Sequence, residues 1–81
     1  MRVIGLVIGG DAMETMEIVI NGKIQQVPPQ FNLRDLIQLL DLKSDRVAVE
    51  LNRQIIRRDR WGETPLHDRD RVEIVHFVGG G

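Results

Sequence analysis

The chain has 81 residues, a formal net charge of −1 and no cysteine. This length predicts one domain with a modest core, and the missing cysteine excludes disulfides, thiolate metal sites and a thiol nucleophile. The near-neutral charge and the three aromatic residues argue against a nucleic-acid partner. No apolar run approaches the roughly 20 residues of a membrane helix, so no membrane association is expected. With no export signal, we expect a cytoplasmic location.

Residues 1–15 contain a short apolar stretch at 3–8 that only Gly5 interrupts. The stretch is short for a signal-peptide core, and no clear cleavage site follows it. One interpretation is an extra edge strand. We favour a disordered leader or a non-native start ahead of a domain at 16–78, because an exposed apolar segment of this kind promotes aggregation.

The domain begins with a predicted β-hairpin. Met16–Ile20 is predicted as a half-buried strand, with Ile18 and Ile20 on one face and Glu17 and Val19 on the other. Asn21-Gly22 follows, which is the strongest short hairpin signal because both positions accept a positive φ. The return strand, Lys23–Val27, alternates poorly, since Ile24 and Val27 fall on opposite faces. The strand therefore needs either a bulge or one exposed apolar residue.

A helix is predicted over residues 33 to about 42. Asn32 is placed as its N-cap, with Asp35 in the capping-box position. Phe31 and Leu36 occupy the two positions of a hydrophobic staple. Four apolar residues form a stripe at helical spacing, and this stripe is expected to pack on a sheet: Leu33, Leu36, Ile37 and Leu40.

Three more strands are predicted after the helix, at 46–51, 55–56 and 71–78, with a charged segment at 57–61 and a turn at 68–70. The element order is hairpin, helix, strand, short strand, strand. A helix across one face of a mixed sheet, with the first and last strands as parallel central neighbours, satisfies the rules for layers and right-handed crossovers. The predicted fold is therefore α+β, a ubiquitin-like β-grasp with a mixed sheet of four to five strands and one helix across one face.

No constellation of side chains indicates an enzyme. The sequence has no nucleophile–histidine arrangement, no recognisable catalytic carboxylate pair and no phosphate-binding loop. His67, Asp68 and Asp70 are better explained as a structural turn than as a metal site, because they do not complete a coordination shell. The arginines at 53, 57, 58 and 60 are most simply a solvated face, with an acidic partner surface as the alternative.

The last strand leads into Gly79, Gly80 and Gly81. Glycine without a Cβ makes a narrow, extensible arm, so we interpret 79–81 as a flexible tail whose terminal Gly81 carboxylate is the working group. A frayed terminus is the alternative. Strand alternation points Val75 and Phe77 away from the helix, and Ala48 on a neighbouring strand extends the surface. We interpret these three residues as a docking face for a partner. The alternative is that the end of the strand bends and Phe77 caps the core.

The motifs MEIVINGK, VAVELN and the ending EIVHFVGGG, with the Asp68–Asp70 turn between them, resemble the ThiS family of sulfur carriers in thiamine thiazole biosynthesis. The resemblance covers 16–81. It implies a protein cosubstrate whose Gly81 carboxylate is adenylated by a ThiF-like adenylyltransferase and converted to a thiocarboxylate. The sulfur would come from cysteine through a desulfurase and pass to a ThiG-like thiazole synthase. ATP and magnesium would bind the adenylyltransferase, leaving this chain without a cofactor.

The sequence departs from the family pattern at two places, since residues 1–15 have no counterpart and Arg69 stands where many relatives have glycine. Arg69 is therefore expected at a positive φ or in a different turn type. Two alternatives stay open. The small subunit of molybdopterin synthase shares the fold and the Gly-Gly ending, and a ubiquitin-like modifier or binding module would use the same tail for attachment to lysines.

Overall fold

The structure, a computed structural model, describes residues 15–77. The elements are β1 (Met16–Ile20), β2 (Lys23–Val27), α1 (Leu33–Leu39), β3 (Val47–Leu51), β4 (Gln54–Ile56) and β5 (Arg71–His76), with 3₁₀ helices at Ser44–Arg46 and Arg58–Glu63. The five strands form one sheet in the order β2-β1-β5-β3-β4. The predicted mixed sheet with one helix is confirmed. The predictions made for residues 1–14 and 78–81 lie outside the described range.

The two central strands, β1 and β5, are parallel, with Val19 opposite Arg71 and Ile20 opposite Val72. The other neighbouring strands pair antiparallel. This arrangement confirms that the first and last strands meet in the middle of the sheet. The last strand, β5, therefore lies between β1 and β3 in the middle of the sheet.

The first hairpin closes through a two-residue turn in which Asn21 has φ 49° and Gly22 has φ 83°. A turn with two positive φ values matches the twist of the flanking strands. The pairing of β1 with β2 runs without interruption, so β2 contains no bulge. The irregular alternation of β2 instead leaves one apolar side chain exposed to solvent. Ile24 is 62% exposed, whereas Gln25 and Val27 are buried.

The helix begins as the sequence predicts. The side chain of Asn32 accepts a hydrogen bond from the Asp35 amide at 2.8 Å, and the Asp35 carboxylate accepts one from the Asn32 amide at 2.9 Å. This reciprocal capping box satisfies two backbone donors that a helix N-terminus otherwise leaves open. Phe31 is partly buried against the core.

The predicted end of the helix, near residue 42, is wrong, because α1 ends at Leu39. Asp41 adopts φ 59°, a left-handed conformation that stops the helix. The Leu42 amide then donates to the Ile37 carbonyl at 3.1 Å, and the Asp41 amide donates to the Gln38 carbonyl at 3.0 Å. These two bonds form a Schellman motif, which usually has glycine at the left-handed position. Because aspartate occupies that position, the sequence contains no clear signal for the end of the helix.

The core lies between α1 and the sheet and contains eleven buried apolar residues: Ile18, Ile20, Val27, Leu33, Leu36, Ile37, Val47, Val49, Trp61, Leu66 and Val72. Trp61 and Leu66 are members that the sequence did not assign to the core. The charged segment around Trp61 forms the 3₁₀ helix Arg58–Glu63, which buries the indole and leaves the charges outside. The Trp61 Nε1–H donates to the Ile56 carbonyl at 2.9 Å, so its polar atom is satisfied.

The turn before β5 is held by two side-chain carboxylates that accept hydrogen bonds from backbone amides. Asp68 accepts from the Glu17 amide at 2.9 Å, and Asp70 accepts from the His67 amide at 2.7 Å. Arg69 lies between them with φ 73°. A positive φ is one of the two outcomes expected at a position where many relatives have glycine. Within residues 15–77, no three histidine or acidic side chains cluster closely enough to hold a metal ion. No helix in the same range is long and apolar enough to cross a membrane.

Candidate functional site: the outer sheet face at the end of β5

The sheet face turned away from the helix carries an exposed apolar surface near the end of β5. Ala48 lies directly opposite Val75 in the β3–β5 pairing, so both side chains are on this face. Phe77 follows two residues after Val75. Ile55 joins them from β4, because it pairs with Glu50, two residues after Ala48 on β3. We call Ala48, Ile55, Val75 and Phe77 the outer apolar patch.

The residues of the outer apolar patch are much more exposed to solvent than those of the core. Ile55 is 75% exposed, Val75 57% and Phe77 52%, while Ala48 is half-buried between its neighbours. The outward orientation predicted for Val75 and Phe77 is confirmed. The alternative that Phe77 caps the core does not hold for a side chain with half its surface open to solvent. Large side chains exposed together at one place on a small domain are typical of an interaction surface.

Charged residues bound the patch on one side. Glu50 lies opposite Glu73 on the same outer face, and like charges in this position repel each other. Beyond them, Arg71 separates the patch from a second, smaller apolar area formed by Val19 and Ile24. The outer face therefore has a defined apolar end next to Phe77 and an acidic middle, and not one continuous apolar surface.

The C-terminal half of β5 extends beyond the end of β1, and the Asn21 side chain takes the place of the missing strand. Its Oδ1 accepts from the Ile74 amide at 2.7 Å, and its Nδ2 donates to the Ile74 carbonyl at 3.2 Å. On the other side, the Phe77 amide donates to the Arg46 carbonyl at 2.7 Å. Hydrogen bonds on both sides of the chain thus hold Ile74 and Phe77, the segment that carries the patch.

Asn52, in the second hairpin turn, makes a similar clasp at the start of β5. Its Oδ1 accepts from the Arg71 amide at 2.9 Å, and its Nδ2 donates to the Asp70 carboxylate at 3.0 Å. Sequence reasoning identified Asn21 and Asn52 only as turn residues. Their second role depends on contacts with residues 19 and 53 positions away, which no local pattern reveals.

A groove of about 300 Å³ runs beside the patch, along the edge of β3. Ala48, Ile55 and Phe77 line it from the patch, and Val47 and Trp61 line it from the core side. Arg57 and Arg58 stand at its rim. The sequence interpreted these arginines as a solvated face; the structure agrees that they are exposed and adds that they border an apolar groove.

The tail residues predicted to be modified or to give access, Gly79, Gly80 and Gly81, lie outside the described residues. The structure places the predicted docking residues Ala48, Val75 and Phe77 together on one face. Phe77 is the last described residue, so this face adjoins the start of the tail. Whether the face binds a partner stays a prediction.

Comparison with known proteins gives consistent matches. The model of the ThiS family matches residues 14–81. The sulfur carrier protein ThiS of Bacillus subtilis (strain 168) is 49% identical over 49 residues, which are 60% of this chain and 74% of that protein. A thiazole synthase of Magnetococcus marinus is 35% identical over 66 residues, 82% of this chain but only 20% of that longer protein.

The fold is matched by a crystal structure of the thiamine biosynthesis protein (ThiS) from Geobacter metallireducens. The TM-score is 0.71 at 33% sequence identity, and the match covers 82% of this chain and 100% of the other.

Proposed function

Because this chain belongs to the ThiS family, we propose that it is a sulfur carrier for thiamine thiazole synthesis whose working group is the carboxylate of Gly81. The observation that carries the proposal is the extent of the family match, which reaches residue 81 and so includes all three terminal glycines. The thiazole synthase among its relatives supports thiazole, and not molybdopterin, as the product that receives the sulfur.

The chemistry begins with an unreactive group. A carboxylate resists nucleophiles because it is negatively charged and oxide is a poor leaving group. In the proposed reaction, a ThiF-like adenylyltransferase binds ATP and magnesium, and a carboxylate oxygen of Gly81 attacks the α-phosphorus with loss of pyrophosphate. The resulting acyl-adenylate has AMP as a good leaving group. The desulfurase moves the sulfur of one cysteine onto its own thiol as a persulfide. Excess cysteine thiol then reduces this sulfur to sulfide and is itself oxidised to a disulfide. The sulfide displaces AMP from the acyl-adenylate and leaves a thiocarboxylate.

The chain itself contributes position and access. Four residues follow Phe77, and a fully extended segment of this length reaches at most about 13–14 Å. An enzyme that acts on Gly81 must therefore come close to Phe77, which makes the outer apolar patch the natural contact surface. Val75 and Phe77, with Ala48 between the strands, are the proposed docking residues. Glycine at 79 and 80 keeps the arm narrow enough to enter an active site.

Intact-mass analysis tests the proposal. The full chain is incubated with a ThiF-like adenylyltransferase, ATP, magnesium, cysteine and a cysteine desulfurase. The expected mass increase equals the difference between a sulfur and an oxygen atom, and it disappears when ATP is omitted. Attachment of the chain to lysines of other proteins would instead identify a ubiquitin-like modifier.

A further inference from the structure

The strand β3 is longer than the strand that covers its outer edge. Pairing of β3 with β4 stops at Val49 and Ile56, because the chain turns away at Arg57 into the second 3₁₀ helix. Val47 therefore has no β4 partner among residues 15–77. The open stretch of edge is short, and it borders the groove of about 300 Å³.

The backbone groups of Val47 face this open edge. The Phe77 amide bonds the Arg46 carbonyl across β3 and β5. Residues along an antiparallel strand bond alternately to the two neighbours, so Arg46, like Ala48, bonds toward β5. Val47 then directs its N–H and C=O toward the β4 side, where β4 has already ended. Val47 as a whole residue is buried, with 6% of its surface exposed, and it belongs to the core, so this part of β3 is held in position.

The charges at the groove favour an acidic occupant. Arg57, Arg58 and Asp45 line the groove, so two cationic side chains and one anionic side chain border it. The Arg57 Nε lies 3.6 Å from Asp59 Oδ1, but both side chains are largely exposed, so the pair is weak. Arg58 has no carboxylate within 4.0 Å among the described residues. A guanidinium beside an apolar surface suits a carboxylate that arrives with an apolar neighbour.

We propose that the open edge at Val47 accepts an extended, carboxylate-bearing segment of the thiazole synthase. The segment adds to β3 by bonding the N–H and C=O of Val47, places an apolar side chain in the groove and pairs its carboxylate with Arg58. Such strand addition takes affinity from main-chain bonds and specificity from side-chain pockets. The inference rests on the proposed function, which supplies the partner.

The position of the edge explains why an enzyme that uses the tail would occupy it. Phe77 lines the groove and precedes Gly81 by four residues in the sequence, so a segment bound here contacts the last described residue before the tail. In the matched thiazole synthases, the region similar to this chain is part of the synthase polypeptide. The two units thus occur as neighbours, which favours the synthase over the adenylyltransferase as occupant.

Hydrogen exchange tests the site directly. The isotopically labelled full chain is mixed with the thiazole synthase of the same organism, and exchange of individual amides is compared with the free chain. We expect exchange at Val47 to slow by at least about tenfold, as a new main-chain bond requires. Ile24, on the opposite edge of the sheet, serves as the control amide and should not change.

Two charge-reversal variants test whether Arg58 pairs with a carboxylate of the synthase. Arg58→Glu should weaken synthase binding by at least roughly tenfold, the usual scale for losing a charge-assisted pair. Arg53→Glu changes the net charge equally, at the other end of β4, and should change binding by less than about twofold. Both variants are first shown to be folded by circular dichroism, and Arg58→Lys should keep part of the affinity.

The outcomes separate the inference from the proposed function. A complex that forms without protecting Val47, or with protection at His76 instead, overturns strand addition at this edge and leaves the carrier function intact. Equal effects of Arg58→Glu and Arg53→Glu overturn the carboxylate pair. If only the adenylyltransferase slows exchange at the Val47 amide, the occupant of the edge is not the synthase and the proposal is overturned. If no complex with the synthase forms although the chain acquires sulfur, both the inference and the thiazole assignment fail.

Discussion

Replacing Phe77 with alanine should weaken partner engagement far more than it weakens the fold. Phe77 is 52% exposed and belongs to the outer apolar patch, two residues before the tail in the sequence. Complete burial of a phenylalanine side chain is worth about 1.5–3 kcal/mol, so half burial corresponds to roughly 1 kcal/mol of stability. For a domain of this size, that loss lowers the Tm by about 4–8 °C.

Trp61→Ala is the matched comparison, because Trp61 is 2% exposed and belongs to the core. Its truncation should cost about 3–5 kcal/mol, and it also leaves the Ile56 carbonyl without its 2.9 Å indole donor. Thermal and urea unfolding measure both variants against the unmodified chain. The rate of adenylation as a function of carrier concentration then reports on docking for the variants that stay folded.

We expect Phe77→Ala to remain folded at 25 °C and to raise the KM for the carrier by at least about tenfold, because a central aromatic anchor commonly contributes 2 kcal/mol or more to an interface. If Phe77→Ala unfolds as readily as Trp61→Ala, the phenylalanine is part of the core and the patch is wrongly drawn. An unchanged KM in a folded variant would remove Phe77 from the docking surface.

Three further changes test the fold. A chain that starts at Met16 should melt within a few degrees of the full chain, because the hairpin–helix–sheet unit begins there; a large drop in Tm would instead make the leader a strand. Asn32→Ala should cost about 1 kcal/mol in urea unfolding through loss of the N-cap, and no loss would show that the capping box contributes nothing. Arg69→Gly should raise stability by about 1 kcal/mol, since φ 73° is unfavourable for a residue with a Cβ; a destabilised variant would contradict this.

Most of the fold could be predicted from local patterns in the sequence. The Asn21-Gly22 turn, the Asn32 capping box and the alternation of β1 and β3 each act over a few residues, and the structure contains all of them. The wrong helix end and the unassigned burial of Trp61 have physical reasons. Aspartate occupies a left-handed position where glycine usually signals the helix end, and the 3₁₀ helix buries one indole inside a charged sequence.

The site was only partly predictable. Alternation along β5 was enough to turn Val75 and Phe77 outward, and the β3–β5 register places Ala48 beside them. The groove could not be predicted, because it depends on where β4 stops pairing with β3. The hydrogen bonds between the Asn21 side chain and the Ile74 backbone could not be predicted either, since the two residues are 53 positions apart in the sequence.

The central claim is that the carboxylate of Gly81 carries the sulfur, and one comparison of intact masses tests it. The full chain and a variant without Gly81 are each incubated with the adenylyltransferase, ATP, magnesium, cysteine and desulfurase. Deletion withdraws the carboxylate by roughly 3.5 Å, and misplacement of a reacting group by about 1 Å costs on the order of a hundredfold in rate. We expect the full chain to gain the sulfur-for-oxygen mass and the folded variant to gain none. A variant that acquires sulfur at the rate of the full chain would contradict the carrier function.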